Sequence, residues 1–334
     1  MGPYYWSMKT EKLVDLLAAG RVANLPSVVS NVVTGAVIYW LTRVGDFSWQ
    51  IGGESAISWL SVVLGCVVGC LLYLGGCLLN DWWDRDWDRV NKPARAIPSQ
   101  RLSAKTLLIL ALFFLVSGLL TSSFFGASGI GVALMIALLI LVYSAIHKKT
   151  AWGVFPMGLC RSGLYFLGYV AANPRACLGE CSFLTSSLAL FIPAMGVLAY
   201  IAGLSMLARF EAKGNLPASH RTLACFLLFL PVLTHLTWVV GKAPVWSFVS
   251  VLPFVLMVSR AIRVIAKSLP AGVSFLLASI PLLDFLIVLP LVTLGYSAAT
   301  SVDGNSGSLG IIFAMIPLLA FGLALVLQRV APAT

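Results

Sequence analysis

Residues Asn80 to Ser103 read NDWWDRDWDRVNKPARAIPSQRLS and carry the densest chemistry in this chain of 334 residues. Four of its 12 acidic residues, Asp81, Asp84, Asp86 and Asp88, fall within eight positions. Carboxylates crowded in this way repel one another unless a cation neutralises them, which points to a metal. On one continuous helix each residue turns the chain by about 100°, so Asn80, Asp81, Asp84 and Asp88 share an arc of roughly 100° and Asp86 points away. Three carboxylates and an amide oxygen on one face are hard ligands suited to Mg²⁺, which keeps several waters and bridges protein carboxylates to a substrate's phosphates. Lys92, Arg95 and Arg101 follow directly, cations that a phosphate-bearing ligand would meet.

The rest of the chain must hold this cluster in place, and its composition says how. Sixty per cent of the residues are hydrophobic, ten per cent are charged and the mean hydropathy is +0.97, which excludes an ordinary soluble globule. Ten apolar segments approach or exceed the ~20 residues that cross a bilayer: 25–43, 57–79, 104–121, 128–146, 153–172, 182–207, 222–240, 245–262, 272–296 and 308–328. The expectation is an all-α, polytopic helical membrane bundle of nine to ten transmembrane helices. It forms a single integral domain over 1–334, with the acidic cluster in the first half (1–150) and the remainder in 151–334. The ninth segment carries Pro281 and Pro290 and is the least certain to run as one straight span. Gly65 and Gly69 have the small-x-x-x-small spacing that lets helices approach closely in lipid. The N-terminus, with Lys9, Glu11, Lys12 and Asp15, lacks the pattern of a cleavable leader.

A net charge of +10 invites a nucleic-acid reading, but the charges are distributed otherwise. With a cytoplasmic N-terminus and one crossing per segment, the inside receives Lys9, Lys12, Arg21, the cations from Arg85 to Lys105, Lys148, Lys149, Arg209, Lys213, Arg221, Arg260, Arg263, Lys267 and Arg329. Arg43, Arg175 and Lys242 fall outside, and Arg161 lies within a span. That asymmetry is the positive-inside pattern. It places both termini and the site loops on the cytoplasmic side of the plasma (cell inner) membrane, with the bilayer and no nucleic acid as partner. Five of the seven cysteines (Cys66, Cys70, Cys77, Cys160, Cys225) lie in apolar segments as small hydrophobes. Cys177 and Cys181 sit in a short polar loop and can pair in an oxidising compartment.

The run Asn80-Asp81-Trp82-Trp83-Asp84-Arg85-Asp86-Trp87-Asp88, followed by Asn91-Lys92-Pro93, Arg95, Pro98 and Arg101, resembles the first aspartate motif of the UbiA-type membrane prenyltransferases, N-D-x-x-D-x-x-x-D then N-x-P-x-R-P-I/L-P-S-G-R. Ala96 replaces the proline after the arginine, and Gln100 replaces the glycine. The likeness covers most of the chain, more loosely beyond Arg221. Arg21 to Gly35 (RVANLPSVVSNVVTG) is similar to the family's first helix and puts Asn31 in the pocket. The resemblance implies a helical bundle in which two aspartate-rich motifs bind a polyprenyl diphosphate through Mg²⁺. Ionisation then yields an allylic cation, which a hydrophobic or aromatic acceptor attacks. It implies metal and catalytic roles for Asp81, Asp84 and Asp88. Asn80, Asn31, Lys92, Arg95, Arg101, Tyr143, Lys148, Arg161, Arg209 and Glu211 are then substrate-binding.

The second motif departs from the family. Aspartates are expected near the end of segment six around an arginine, yet anchoring on Arg209 puts Ile201, Ala208 and Ala212 at those positions. Only Glu211 remains, beside Lys213. Arg209 and Lys213 either touch phosphate directly or anchor the loop at the membrane. After segment four, Tyr143-Ser-Ala-Ile-His147-Lys148 has a histidine where the family has a lysine, leaving Lys148 as a diphosphate ligand or an ordinary anchor. Arg161 lies two to three turns into segment five and either meets phosphate or pairs with an acid. Asp284, in segment nine, is its possible partner or a polar lock between helices. His220 and His235 belong to no ligand cluster and read as packing or capping residues. Two functions remain in view. One is Mg²⁺-dependent transfer of a polyprenyl group from its diphosphate. The other is a UbiA-like protein that binds or moves an isoprenoid or metabolite without transferring it. An ion transporter would carry acids at the midplane of its spans, where only Asp284 is found.

Overall fold

The computed structural model describes residues 12–43, 59–172, 188–210, 217–239, 244–299 and 307–330. These are helical with short connections. Residues 12–19 form α1, and α2 (Leu25–Arg43), α3 (Trp59–Trp83), α4 (Arg85–Asn91), α5 (Ala104–Ser122), α6 (Gly126–Ile146) and α7 (Val154–Ala172) follow. Then come α8 (Leu188–Ala208), α9 (Ala218–Val239), α10 (Pro244–Ile265), α11 (Leu269–Ala278), α12 (Ile280–Ala299) and α13 (Gly307–Val330). The expected apolar segments thus appear as helices, with two changes that bear on the site.

The ninth segment remains one apolar stretch, Leu269–Thr293, but it is not one unbroken helix. α11 ends at Ala278, Ser279 (φ −80°, ψ −4°) caps it, and α12 begins at Ile280 with Pro281 in its first turn. A proline there costs little, because its missing N–H would have had no partner in that turn. The expected continuous helix through Asp88 is also broken. α3 ends at Trp83, Asp84 has ψ −6°, and α4 starts at Arg85. The i→i+4 bonds from Asp84 N to Asn80 O (2.9 Å) and from Asp88 N to Asp84 O (2.8 Å) persist across the break.

Seven stretches among the described residues are long and apolar enough to cross a membrane. The one over Ala104–Ile146 holds both α5 and α6, which turn back at Gly126 (φ 66°). Side chains such as Phe113, Leu138, Phe226, Phe248 and Leu319 are exposed on α5, α6, α9, α10 and α13. An apolar outer belt of this kind is what hydrocarbon solvates, and the chain is an integral membrane protein. Five cysteines in these helices are free thiols. Cys177, Cys181 and Glu211 lie outside the described residues.

The core divides in two, and α2 and α7 contribute to both parts. The two helices touch backbone to backbone. A Cβ added to Gly35 would sit 2.0 Å from the carbonyl oxygen of Tyr165, and one on Gly168 would sit 1.8 Å from that of Val32. Two facing glycine notches therefore set the spacing of α2 and α7. Gly65 and Gly69 serve the same packing on α3, against Ala171 and against Val32 and Leu164, as their spacing suggested.

Candidate functional site

At one end of the bundle the turns that link α1 to α2, α3 to α5 and α6 to α7 meet the end of α8 around a cavity. It encloses about 1680 Å³ of empty space, its open mouth included. Arg21, Lys92, Arg95, Lys148, Arg161 and Arg209 line it, with His147; Asp84 is the one carboxylate among the described lining residues. Below the mouth the walls turn apolar, through Met157 on α7, Ile201 and Leu204 on α8, Val273 and Leu277 on α11 and Ile280 on α12. A second, apolar chamber of about 580 Å³ opens toward α3, α6 and α7 past Leu72, Gly76, Ile136, Ile140 and Leu164. Arg21, Tyr73, Asn80, Tyr143, Met157 and Arg161 line both spaces, so the two lie side by side beneath the charged mouth.

Asp84, 4% exposed, is the anchor of that mouth. Its Oδ2 is 3.1 Å from His147 Nε2 and 3.3 Å from Lys148 Nζ, and it accepts from Asn80 Nδ2 at 3.3 Å. His147 Nδ1 meets the Tyr143 carbonyl at 3.0 Å, and its ring stacks on Tyr143 at 4.6 Å between centroids. Lys148 Nζ also lies 3.8 Å above the Trp87 ring, a cation–π contact. Burial alone would raise the Asp84 carboxyl. Hydrogen bonds and charge from His147 and Lys148 outweigh it and hold the group below its ordinary value.

The other two carboxylates turn elsewhere. Asp88, 2% exposed, takes Arg95 Nη1 at 2.8 Å, and Asp81 takes Arg95 Nη1 at 3.5 Å and Arg21 Nη2 at 3.6 Å. They line an adjoining pocket with Asp15, Ile97, Pro98 and Arg101, one that shares Arg21 and Arg95 with the cavity. The expected metal set of Asp81, Asp84 and Asp88 is therefore not assembled: no group of three or more His, Cys, Asp or Glu among the described residues is placed to hold a metal. Each carboxylate is already engaged by cations, Asp84 by His147 and Lys148 and the other two by Arg21 and Arg95. Two buried oxygens, Asn80 Oδ1 and Asp88 Oδ1, have no hydrogen-bond partner. Asn80 Oδ1 with Asp84 gives a hard-oxygen pair at the cavity, a set that fits one Mg²⁺ completed by water and phosphate.

Of the other expected site residues, Asn80, Lys92, Arg95, Tyr143, Lys148, Arg161 and Arg209 line the cavity. Arg209 donates from Nη1 to the Thr150 carbonyl, which ties the end of α8 to the α6–α7 turn. Arg101 does not join them. It pairs with Asp15 at 2.7 Å, on the side away from the cavity, because α1 folds over the turn after α4. Asn31 is fully buried below the lining, where it accepts from Arg161 Nη1 at 3.1 Å and donates to both oxygens of Asp284 at 3.0 Å. Asp284 is thus reached by Arg161 through Asn31 and not directly. His220 packs on Phe210, and His235 is buried with neither ring nitrogen bonded.

Sequence reasoning missed Arg21, Tyr73 and Trp87. Arg21 was legible as a cation at a helix start, but its φ of 47°, which turns it over Asp81, was not. Trp87 sits one turn from Trp83 in the acidic run and gave no sign of holding Lys148. At the expected second acidic cluster, Ile201 and Ala208 both line the cavity, so the α8 wall is uncharged where acids were expected. Ala212 and Lys213 lie outside the described residues.

Residues 31–277 match the model of the UbiA prenyltransferase family. The digeranylgeranylglyceryl phosphate synthase of Methanoregula boonei is 31% identical over 162 residues, 48% of this chain and 53% of its own. The bacteriochlorophyll synthase 33 kDa chain of Cereibacter sphaeroides is 32% identical over 143 residues, 41% of this chain and 47% of its own. The matches thus span about half the length of these curated relatives. A UbiA homolog from Archaeoglobus fulgidus, solved bound to GPP and Mg²⁺, is 16% identical with a TM-score of 0.50 over 94% of this chain and 99% of that one, a likeness of fold.

Proposed function

Because this chain belongs to the UbiA prenyltransferase family, we propose that it is a membrane prenyltransferase that moves a polyprenyl group from its diphosphate to a hydrophobic or aromatic acceptor. The observation that carries the reading is the cavity itself. Among the described residues, six lysines and arginines surround one carboxylate in a cavity whose mouth opens onto apolar walls. An isoprenoid diphosphate has this shape of chemistry, with a highly charged head and a long apolar tail.

The chain's own residues have separable roles. Arg21, Lys92, Arg95, Lys148 and Arg209 bind the diphosphate and neutralise the charge that develops as it leaves, the kind of term that dominates such reactions. Mg²⁺, held by Asp84 with Asn80, would act there as a Lewis acid on the departing oxygens. The apolar walls hold the prenyl chain and keep water from the allylic cation. On α8, where Ile201 and Ala208 replace acids, direct contact from Arg209 and Lys148 supplies what a second metal would. Asp81 and Asp88 act by orienting Arg21 and Arg95. Positive-inside asymmetry puts both termini and this mouth at the cytoplasmic face.

The test is Mg²⁺-dependent pyrophosphate release by the purified full chain in detergent, with geranyl and longer diphosphates and a panel of acceptors. Release at the background of an Asp84→Ala variant for every pair would reject transfer. The second reading is binding or movement of an isoprenoid without transfer, and the uncharged α8 wall favours it. It expects donor binding that is indifferent to Mg²⁺ and no turnover.

A further inference from the structure

We infer that Asn31 and Asp284 are positioning residues that hold the Arg161 guanidinium at the boundary of the two cavity spaces; the inference rests on the diphosphate reading above. The three residues lie on α2, α12 and α7, far apart in sequence, and each is at most 6% exposed. A charge buried at this depth needs a partner, and an ionisable group inside a span is rarely without a function. Arg161 has its counter-charge in Asp284, but one amide stands between them.

That amide is the informative feature. Arg161 can only donate and a carboxylate can only accept, so the bridging group must accept on one side and donate on the other. Asn31 does both, through Oδ1 at 3.1 Å to Arg161 and Nδ2 at 3.0 Å to each Asp284 oxygen. A direct Arg–carboxylate fork would take two guanidinium N–H groups and cancel the charge where it stands. The interposed amide takes one of the five N–H groups and leaves the positive charge facing the cavity. The relay is fixed at its far end, where Tyr165 donates to Asp284 Oδ1 at 2.6 Å. At its near end the guanidinium lies 5.1 Å from the Tyr73 ring centroid. The glycine notches of α2 and α7 bring Asn31 within reach of Arg161. Arg161 lines both the charged cavity and the apolar chamber, so the relay sets a cation where a ligand's head and tail part.

The test compares Asn31→Leu, Arg161→Gln and the double variant of the full chain in detergent. Geranyl diphosphate binding is measured by calorimetry beside thermal unfolding. Each single change is expected to weaken binding about tenfold, the scale of one charge-assisted hydrogen bond. The double variant is expected to bind no worse than the weaker single, because both remove the same contact. Asp284→Asn, close in shape, tests the relay where Asn31→Leu fails to fold. It should weaken binding in wild type and have no effect in the Arg161→Gln background. Losses that add, or a lowered unfolding temperature with wild-type affinity, would overturn the relay and leave a plain polar lock between helices. Wild-type protein that does not bind the probe instead counts against the diphosphate reading itself.

Discussion

His147 Nε2 stands 3.1 Å from Asp84 Oδ2, joining two residues 63 positions apart. With Lys148 on the same oxygen, the contact closes the turn after α6 onto the end of α3. The acidic motif is therefore split by its partners. Asp84 belongs to the cavity, while Asp81 and Asp88 belong to Arg21 and Arg95.

That split predicts unequal losses. Asp84→Asn should cut Mg²⁺-dependent pyrophosphate release by about a hundredfold or more, the scale of losing an electrostatic group at the reacting centre. Asp88→Asn should retain more activity but unfold earlier, by about 1 kcal/mol, because its amide oxygen still accepts from Arg95 but no longer balances the guanidinium's charge. Steady-state release and thermal unfolding of both variants decide it; equal losses of activity would contradict the division.

Asp84 also sets a pH dependence. Its carboxyl is held below the ordinary value of about 3.9. The unfolded chain therefore takes up the proton first as pH falls. The stabilisation is complete above about pH 4 and is lost below it, through the lowered folded value. The difference in unfolding temperature between wild type and Asp84→Asn should hold steady from pH 6 to 5 and close below about pH 4. A gap that closes already at pH 5 would reverse the sign of the shift.

Direct cation contact makes binding sensitive to salt. Lys148→Met and Arg209→Met should each weaken geranyl diphosphate binding about tenfold and flatten its dependence on ionic strength, since exposed charges are screened within about 10 Å at 0.1 M. Titrations at 50 and 500 mM salt measure this, and unchanged slopes would remove the two residues from the site.

Gly35→Ala and Gly168→Ala should separate α2 from α7 and destabilise the protein by about 3 kcal/mol, at the upper end of overpacking, because the opposing atoms are backbone carbonyls. Gly131→Ala, which meets nothing within 4 Å, is the control and should be neutral or slightly stabilising. Thermal unfolding of the three in one detergent tests the contrast.

Gln100 occupies the position where the family has glycine, and its φ is 62°. A side chain in that left-handed region costs about 1 kcal/mol. Gln100→Gly should stabilise the turn after α4 by about that amount, and Gln100→Val should destabilise it, with pyrophosphate release unchanged in the glycine variant.

The helices, and the end of the bundle where the candidate site residues gather, were legible in the sequence. Apolar runs of bilayer length have few alternatives to helices, because hydrocarbon satisfies no backbone groups. The Asn80 to Arg101 pattern marked one helix end, and the lysines and arginines marked the loops that meet it. The departures were legible too: the Gln100 departure falls on a left-handed residue, and Ile201 and Ala208 stand on the cavity wall in place of acids.

What periodicity could not supply was the direction of each carboxylate, because that depends on partners distant in sequence. Asp81 and Asp88 were expected to bind a metal together with Asp84, and they meet Arg21 and Arg95 instead. Asn31 was expected in the pocket and lies beneath it, between Arg161 and Asp284. Local spacing decides which side chains share a helix face. Which charge each one meets is decided by the packing of α2 on α7 and by where the turns close, and only the tertiary structure determines that.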